Sequence, residues 1–229
     1  MKKFELTAEF VTNIFGKKLF RIKALVAFGN VEKGELGGFI EKEDNLSHDG
    51  DAWVYGNAQV SGNAQVYGDA QVYGDAQVFG NAQVYGDAWV SGDAWVYGNA
   101  QVSGDAQVFG DAQVYGDAWV SGNAQVSGDA WVSGNARVYG DAWVSGSAWV
   151  FGNADYAVVT GFGRYFRATT FFRCKDKILR VQCGCFYGDL AQFREIVKKT
   201  HGDSKYAKEY LAIADLMELH FSDECGGEQ

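Results

Sequence analysis

Between Gly50 and Phe151 the unit Gly-[Asp/Asn/Ser]-Ala-x-Val-[Tyr/Ser/Phe] runs seventeen times without an insertion or deletion. Valine recurs at 54, 60, 66 and every sixth residue to 150, with alanine two residues before each. A period of six cannot be an α-helix, because at 3.6 residues per turn the valines would spiral around the surface. It suits a short strand followed by a corner. Alanine and valine, two apart, then point to one side, and the residues flanking valine point to the other. Glycine followed by Asn or Asp supplies the corner, since these residues tolerate positive φ. An eighteenth, degraded unit (Gly152, Asn153, Ala154) closes the series.

Written from valine, Val-x-Gly-[Asn/Asp]-Ala-x resembles the hexapeptide repeat of left-handed parallel β-helices. That resemblance implies triangular coils of three hexads, and its left hand comes from the family, not from the period. The fold class expected is an all-β solenoid: a left-handed parallel β-helix of about six 18-residue coils, roughly 29 Å tall at ~4.8 Å per coil. Folded by three hexads, the outward positions sort into three unlike faces. The first carries Trp53, Trp89 and Trp143 with Tyr55, Tyr73 and Phe109; the third carries Trp119, Arg137, Tyr67, Tyr85 and Tyr139. The second is the most aromatic, with Phe79 and the candidate binding residues Trp95, Trp131, Trp149, Tyr97, Tyr115 and Phe151. Rings stacked at coil spacing stabilise neighbouring strands. Rows of exposed rings are also what an interface presents, since Tyr and Trp are rigid anchors with a polar tip.

The repeat carries the chain's entire net charge of −9: residues 50 to 153 hold ten Asp, no Glu and one basic residue, Arg137. Such a rod is a poor ligand for nucleic acid, whose phosphates demand cations. Two corner columns are rich in Asp (51, 69, 87, 105, 141 and 75, 93, 111, 129) and the third is mostly Asn. Stacked carboxylates can recruit Ca²⁺, but no ligand-bearing loop converges on them, so each is expected to cap its own turn.

The ends read as caps, which a solenoid needs to cover its open edges. Residues 1–49 read as a hairpin turning at Gly16-Lys17 and then a degenerate first coil, with Leu36, Ile40 and Leu46 inward and His48 in the valine phase. Residues 50–154 form the β-helix. Residues 155–229 read as a small α+β unit of ββαα order, with two strands around the Lys175-Asp176-Lys177 turn. A first helix is capped by Asp189 and Gly202, and a second turns Tyr206, Tyr210, Leu211, Ile213, Ala214 and Leu216 inward. The stretches GELGGFIEKEDNLS and CGCFYGDLAQFREIVKKTHG, flanking the coils, resemble uncharacterised hexapeptide-repeat proteins of bacteria and their phages that are often labelled acyltransferases.

Acyltransferases of this kind typically form trimers and use a histidine general base beside a loop that leaves the helix. No loop interrupts the seventeen units here, and the three histidines, His48, His201 and His220, lie outside them. Cys174, Cys183 and Cys185, with His201 or Cys225, raise a zinc site. Reduced thiols packing the cap are the plainer expectation, so no cofactor and no metal are expected. The basic, aromatic segment 164–180 raises single-stranded nucleic acid, short of the footprint of a dedicated binder. No apolar run approaches the ~20 residues of a membrane span, and reduced thiols make a cytoplasmic location (host cytosol for a phage-encoded chain) the expectation. The function expected is therefore a non-enzymatic scaffold, of phage or prophage origin, presenting aromatic faces to a protein partner or to itself as a homo-oligomer. An acyltransferase-like enzyme and a glycan-binding module are the alternatives.

Overall fold

The computed structural model describes residues 2–222. Each repeat forms a short strand ending on valine, and each strand lies parallel to the one three repeats on. The result is a β-solenoid of about six turns with three parallel sheets. Every repeat alanine and valine is fully buried, so the core is one column of small aliphatic side chains. Every corner glycine from Gly50 to Gly146 has positive φ. At Gly98 (φ 74°) a Cβ would also lie 3.0 Å from the nitrogen of Gly116 in the coil above. Both the dihedral and the stacking therefore select glycine.

Outside the strand ladders, the backbone bonds between coils run in one direction. Gln77 N–H donates to Ala94 (2.9 Å), Phe79 to Val96 (3.0 Å) and Asn81 to Gly98 (2.7 Å). Repeated along the solenoid, this leaves the N-terminal end rich in free carbonyls and the C-terminal end rich in free N–H groups. Both need partners when covered.

The N-terminal cap supplies donors. Strands β1 (Phe4–Thr12) and β2 (Lys18–Ala24) form the expected hairpin. Strand β3 (Leu36–Ile40) is antiparallel to β2 on one edge and parallel to Gln59–Val60 on the other. The three strands thus extend one face of the solenoid into a nine-stranded sheet. Lys3 Nζ donates to the carbonyls of Gly50 (3.1 Å) and Ala52 (2.9 Å), and Asn45 Nδ2 to those of Gly62 (3.2 Å) and Ala64 (2.8 Å).

The first coil departs from the expected phase. Val54 pairs with Val72, a step of exactly three hexads, whereas Ile40 pairs with Val60 and Leu46 with Val66, each a step longer by two positions. The extra length falls after Leu46 and shifts everything before it. Leu36 is therefore 53% exposed, and His48 lies outside the valine column. Trp53, expected on an outward face, is fully buried against Phe28 (ring centroids 5.3 Å) and Phe4 (6.2 Å). Gly37 makes room for it: a Cβ there would sit 2.7 Å from the indole.

The C-terminal cap supplies mainly acceptors. Trp143 N–H donates to Thr170 Oγ1 (2.9 Å), Arg137 N–H to Asn153 Oδ1 (2.9 Å), and the N–H groups of Phe151 and Gly152 to Asp155 Oδ2 (2.9 Å each). Tyr156 Oη donates to the Arg137 carbonyl (2.5 Å). This unit is a four-stranded antiparallel meander (Tyr156–Val159, Thr169–Arg173, Leu179–Cys183, Phe186–Asp189) followed by two helices, two strands more than the ββαα expected. Helix α1 (Leu190–His201) has Asp189 as its N-cap, with Gln192 N–H donating to Asp189 Oδ1 (2.8 Å) and Asp189 N–H to Gln192 Oε1 (2.9 Å). Helix α2 (Lys205–Phe221) buries Ala207, Tyr210, Ile213, Ala214, Met217 and Phe221. Tyr206 and Leu216, expected inside, each lie one position off that stripe and are exposed. Among the described residues no helix is long and apolar enough to cross a membrane.

Two consequences are measurable. Gly98→Ala forces a left-handed dihedral on alanine at about 1–2 kcal/mol, a fall of roughly 3–6 °C in melting temperature. Gly152→Ala, where φ is extended and the nearest atom to a Cβ is 3.6 Å away, should melt like the parent. Burial lowers the Lys3 pKa to about 8, partly offset by Asp51, Asp49 and Asp69. The folded value lies below that of the unfolded chain, which therefore binds the extra proton above pH 8. The amine should titrate near pH 8 by NMR, and stability should rise from pH 8 to 10.

Candidate binding faces

The second face, on the nine-stranded sheet, carries an aromatic ladder along its length. Phe79 stacks on Tyr97 at 4.9 Å and 5°, and Tyr97 on Tyr115 at 4.9 Å and 4°. Trp95 meets Phe79 and Tyr97 edge-on, at 5.8 and 6.5 Å. The row continues edge to face from Tyr115 to Trp131 (6.3 Å) and from Trp131 to Trp149 (6.2 Å), and Trp149 leans on Phe151 (4.7 Å). At the other end Phe15, in the tip of the N-terminal hairpin, contacts Phe79 at 5.2 Å. The stacks form because the parallel register places positions three hexads apart directly above one another, and offset aromatic contact adds to buried area.

All six candidate binding residues therefore belong to one connected row, but they are not equally free. Trp95, Tyr97, Tyr115 and Trp131 are half-buried by their neighbours. Lys175, from the C-terminal cap, sits over the Trp131 ring with Nζ 3.9 Å from its centroid. Trp149 (36% exposed), Phe151 (42%) and, from the cap, Phe15 (56%) remain the open members. The part played by Phe15 and Lys175 is long-range in sequence, and only the apolar Ile14-Phe15 tip of an otherwise polar turn hinted at it.

The other two faces use their rings within the solenoid. Tyr55 stacks on Tyr73 (4.4 Å) and Tyr67 on Tyr85 (4.9 Å), and burial pushes Tyr55 up to about 12. The phenols of Tyr67 and Tyr85 donate to Gln83 and Gln101 Oε1 (3.2 Å each). The indoles of Trp119 and Trp143 donate to Ser103 (3.0 Å) and Ser127 (3.2 Å). Arg137 lies in register above Trp119, its guanidinium 5.8 Å from the ring. Tyr139, Trp89 and Trp119 are the exposed rings here. Trp89 lines a groove of about 500 Å³ with Asp69, Asp87, Asp105, Gln71 and Gln107.

Side-chain bonds in the corner columns run from coil to coil. Amides donate up the third column, Asn63 to Asn81 (3.2 Å), Asn81 to Asn99 (3.0 Å) and Asn99 to Asp117 (2.9 Å). Among the described residues no three metal-ligating side chains converge, in the corners or at the cysteines. Cys174 is buried. The Gly184-Cys185 hairpin turn separates half-buried Cys183 from exposed Cys185; Cys225 lies outside the described residues.

His48 lines a cleft of about 640 Å³ at the N-terminal end. Its ring stacks on Phe4 at 4.3 Å and its Nδ1 accepts the N–H of Lys3 (3.2 Å). That bond places the neutral ring's proton on Nε2, which faces Glu43 at 3.7 Å. The basic nitrogen is thus already occupied, and a general base needs it facing the proton to be removed.

Together these features define a β-solenoid repeat protein. Residues 58–74, 76–92, 82–98, 112–128, 130–146 and 136–152 match the family model described as the YdcK beta solenoid repeat. The match lies within the coils and covers less than half of the chain. No curated protein matches the sequence.

The ladder predicts a gradient of cost. Tyr97→Ser breaks two parallel stacks and should lower stability by about 2 kcal/mol. Trp149→Ser and Phe151→Ser, at the open end, should each cost about 1 kcal/mol or less. Thermal melts of the three variants check this.

Proposed function

We propose that this protein is a non-enzymatic binding scaffold that docks a protein, a second copy of the chain included, across the ladder face of the nine-stranded sheet. The observation that supports this most is the unbroken aromatic row from Phe15 to Phe151, shared by the solenoid and the N-terminal cap and open at both ends. Rings locked by their neighbours lose little entropy on binding, and rigid Tyr and Trp anchors dominate interface energetics. The acidic corners beside the row favour a partner that brings cations.

The test is mass in solution followed by capture. An assembly larger than the 25.0 kDa chain, or a stoichiometric complex from lysate, should disappear in the Trp149→Ser, Phe151→Ser double variant while its melting temperature stays within a few degrees. A complex that survives both substitutions would contradict the assignment.

Glycan binding has one observation in its favour. The exposed Trp89 pairs in register with Gln71 and Gln107 and is flanked by Asp87 and Asp105, an indole platform among hydroxyl-binding groups. Titration with oligosaccharides would then quench indole fluorescence, and Trp89→Phe would abolish the change.

A further inference from the structure

The C-terminal unit contains a cavity unlike the rest of the molecule. It is a half-open pocket of about 210 Å³, lined by Phe186, Phe193, Ile196 and Val197, by Thr200 and His201, and by the exposed Arg164 and Arg167. No carboxylate lines it, in a chain whose net charge is −9. Elsewhere Arg21, Arg173, Arg180 and Arg194 each meet an Asp or Glu, and Arg137 lies over the Trp119 ring. Arg164 and Arg167 form no ion pair among the described residues and rest instead against the Tyr165 ring, at 5.5 and 5.1 Å. The nearby Glu209 is engaged by Gly163 N–H (3.0 Å) and Lys205 (3.3 Å).

The loop is built for this presentation. Phe166, between the two arginines, holds φ at +53°, uncommon for a residue with a side chain. Gly163 packs on the Tyr210 hydroxyl so closely that no Cβ would fit. Tyr210 lines the cavity, and burial pushes its pKa up to about 12, so near neutrality it remains a neutral O–H group.

We propose that this cavity binds a short apolar carboxylate, its chain against Phe193, Ile196 and Val197 and its head on Arg164 and Arg167. Guanidinium groups match a planar carboxylate through paired hydrogen bonds. The volume is below the ~300–1,000 Å³ of sites for drug-sized ligands, which sets a short body. The small volume and the aliphatic side chains of Ile196 and Val197 favour this over a nucleic-acid strand, which needs a long basic track with a succession of stacking rings.

The methyl resonances of Ile196 and Val197 report occupancy directly. Octanoate should shift them saturably, and octanol should bind at least tenfold more weakly. The Arg164→Gln, Arg167→Gln double variant should lose at least tenfold in octanoate affinity, whereas Trp149→Ser with Phe151→Ser should bind as the parent does. The proposal fails if octanol matches octanoate, if no saturable shift occurs at millimolar concentrations, or if a short dT oligonucleotide displaces octanoate at lower concentration. Should the arginine variant not fold, the octanoate-to-octanol ratio on the parent protein decides.

Discussion

Every coil is tied to the next by backbone hydrogen bonds that reach forward almost three hexads, from an N–H in one coil to a carbonyl in the coil above. That step closes only if each corner turns through positive φ in one residue, a conformation that strains any residue with a Cβ and so selects glycine. The shared direction of these bonds outside the strand ladders also makes the two ends chemically different. Carbonyls are left at the N-terminal end and are met by the amine of Lys3 and the amide of Asn45. N–H groups are left at the C-terminal end and are met by oxygens of Thr170, Asn153 and Asp155. Neither cap could serve at the other end without leaving buried polar groups unpaired.

The same register determines what the surface can do. Because partners lie three hexads apart, a residue's neighbours above and below are fixed by its place in that cycle. Aromatic residues on the second face therefore meet one another and form a row, while Trp119 meets Arg137 and Trp89 meets glutamines. A repeat that looks uniform along the chain becomes three surfaces of different chemistry. The hairpin then adds Phe15 to one of them, linking a cap to the most aromatic face.

What the sequence made legible was the part governed by strict period. The valine columns, the face to which each ring belongs, the position of Arg137 above Trp119 and the caps of α1 all follow from counting. Counting failed where the period breaks. The longer step after Leu46 moved Leu36 outward and put His48 beside Phe4, a shift no pattern in a non-repetitive segment announces. Trp53 obeys the outward phase, yet the cap folds over it, a tertiary effect absent from local sequence. The strands Tyr156–Val159 and Phe186–Asp189 are too short to declare an alternation. The cavity beside Arg164 and Arg167 joins a loop to two helices, so only the fold assembles it.

Removing coils from the middle of the solenoid tests the three-hexad register most directly. Deleting residues 92–109 takes out one whole turn and sets Tyr115 over Phe79, so the ladder is kept. Deleting only residues 92–97 sets Ser103 over Phe79 and Ser121 over Ser103, so the ladder is cut in two, with Tyr115, Trp131 and Trp149 carried to another face, although a third as much chain is gone. The account predicts that the shorter deletion lowers the melting temperature more than the longer one. A loss in proportion to the length removed would contradict it.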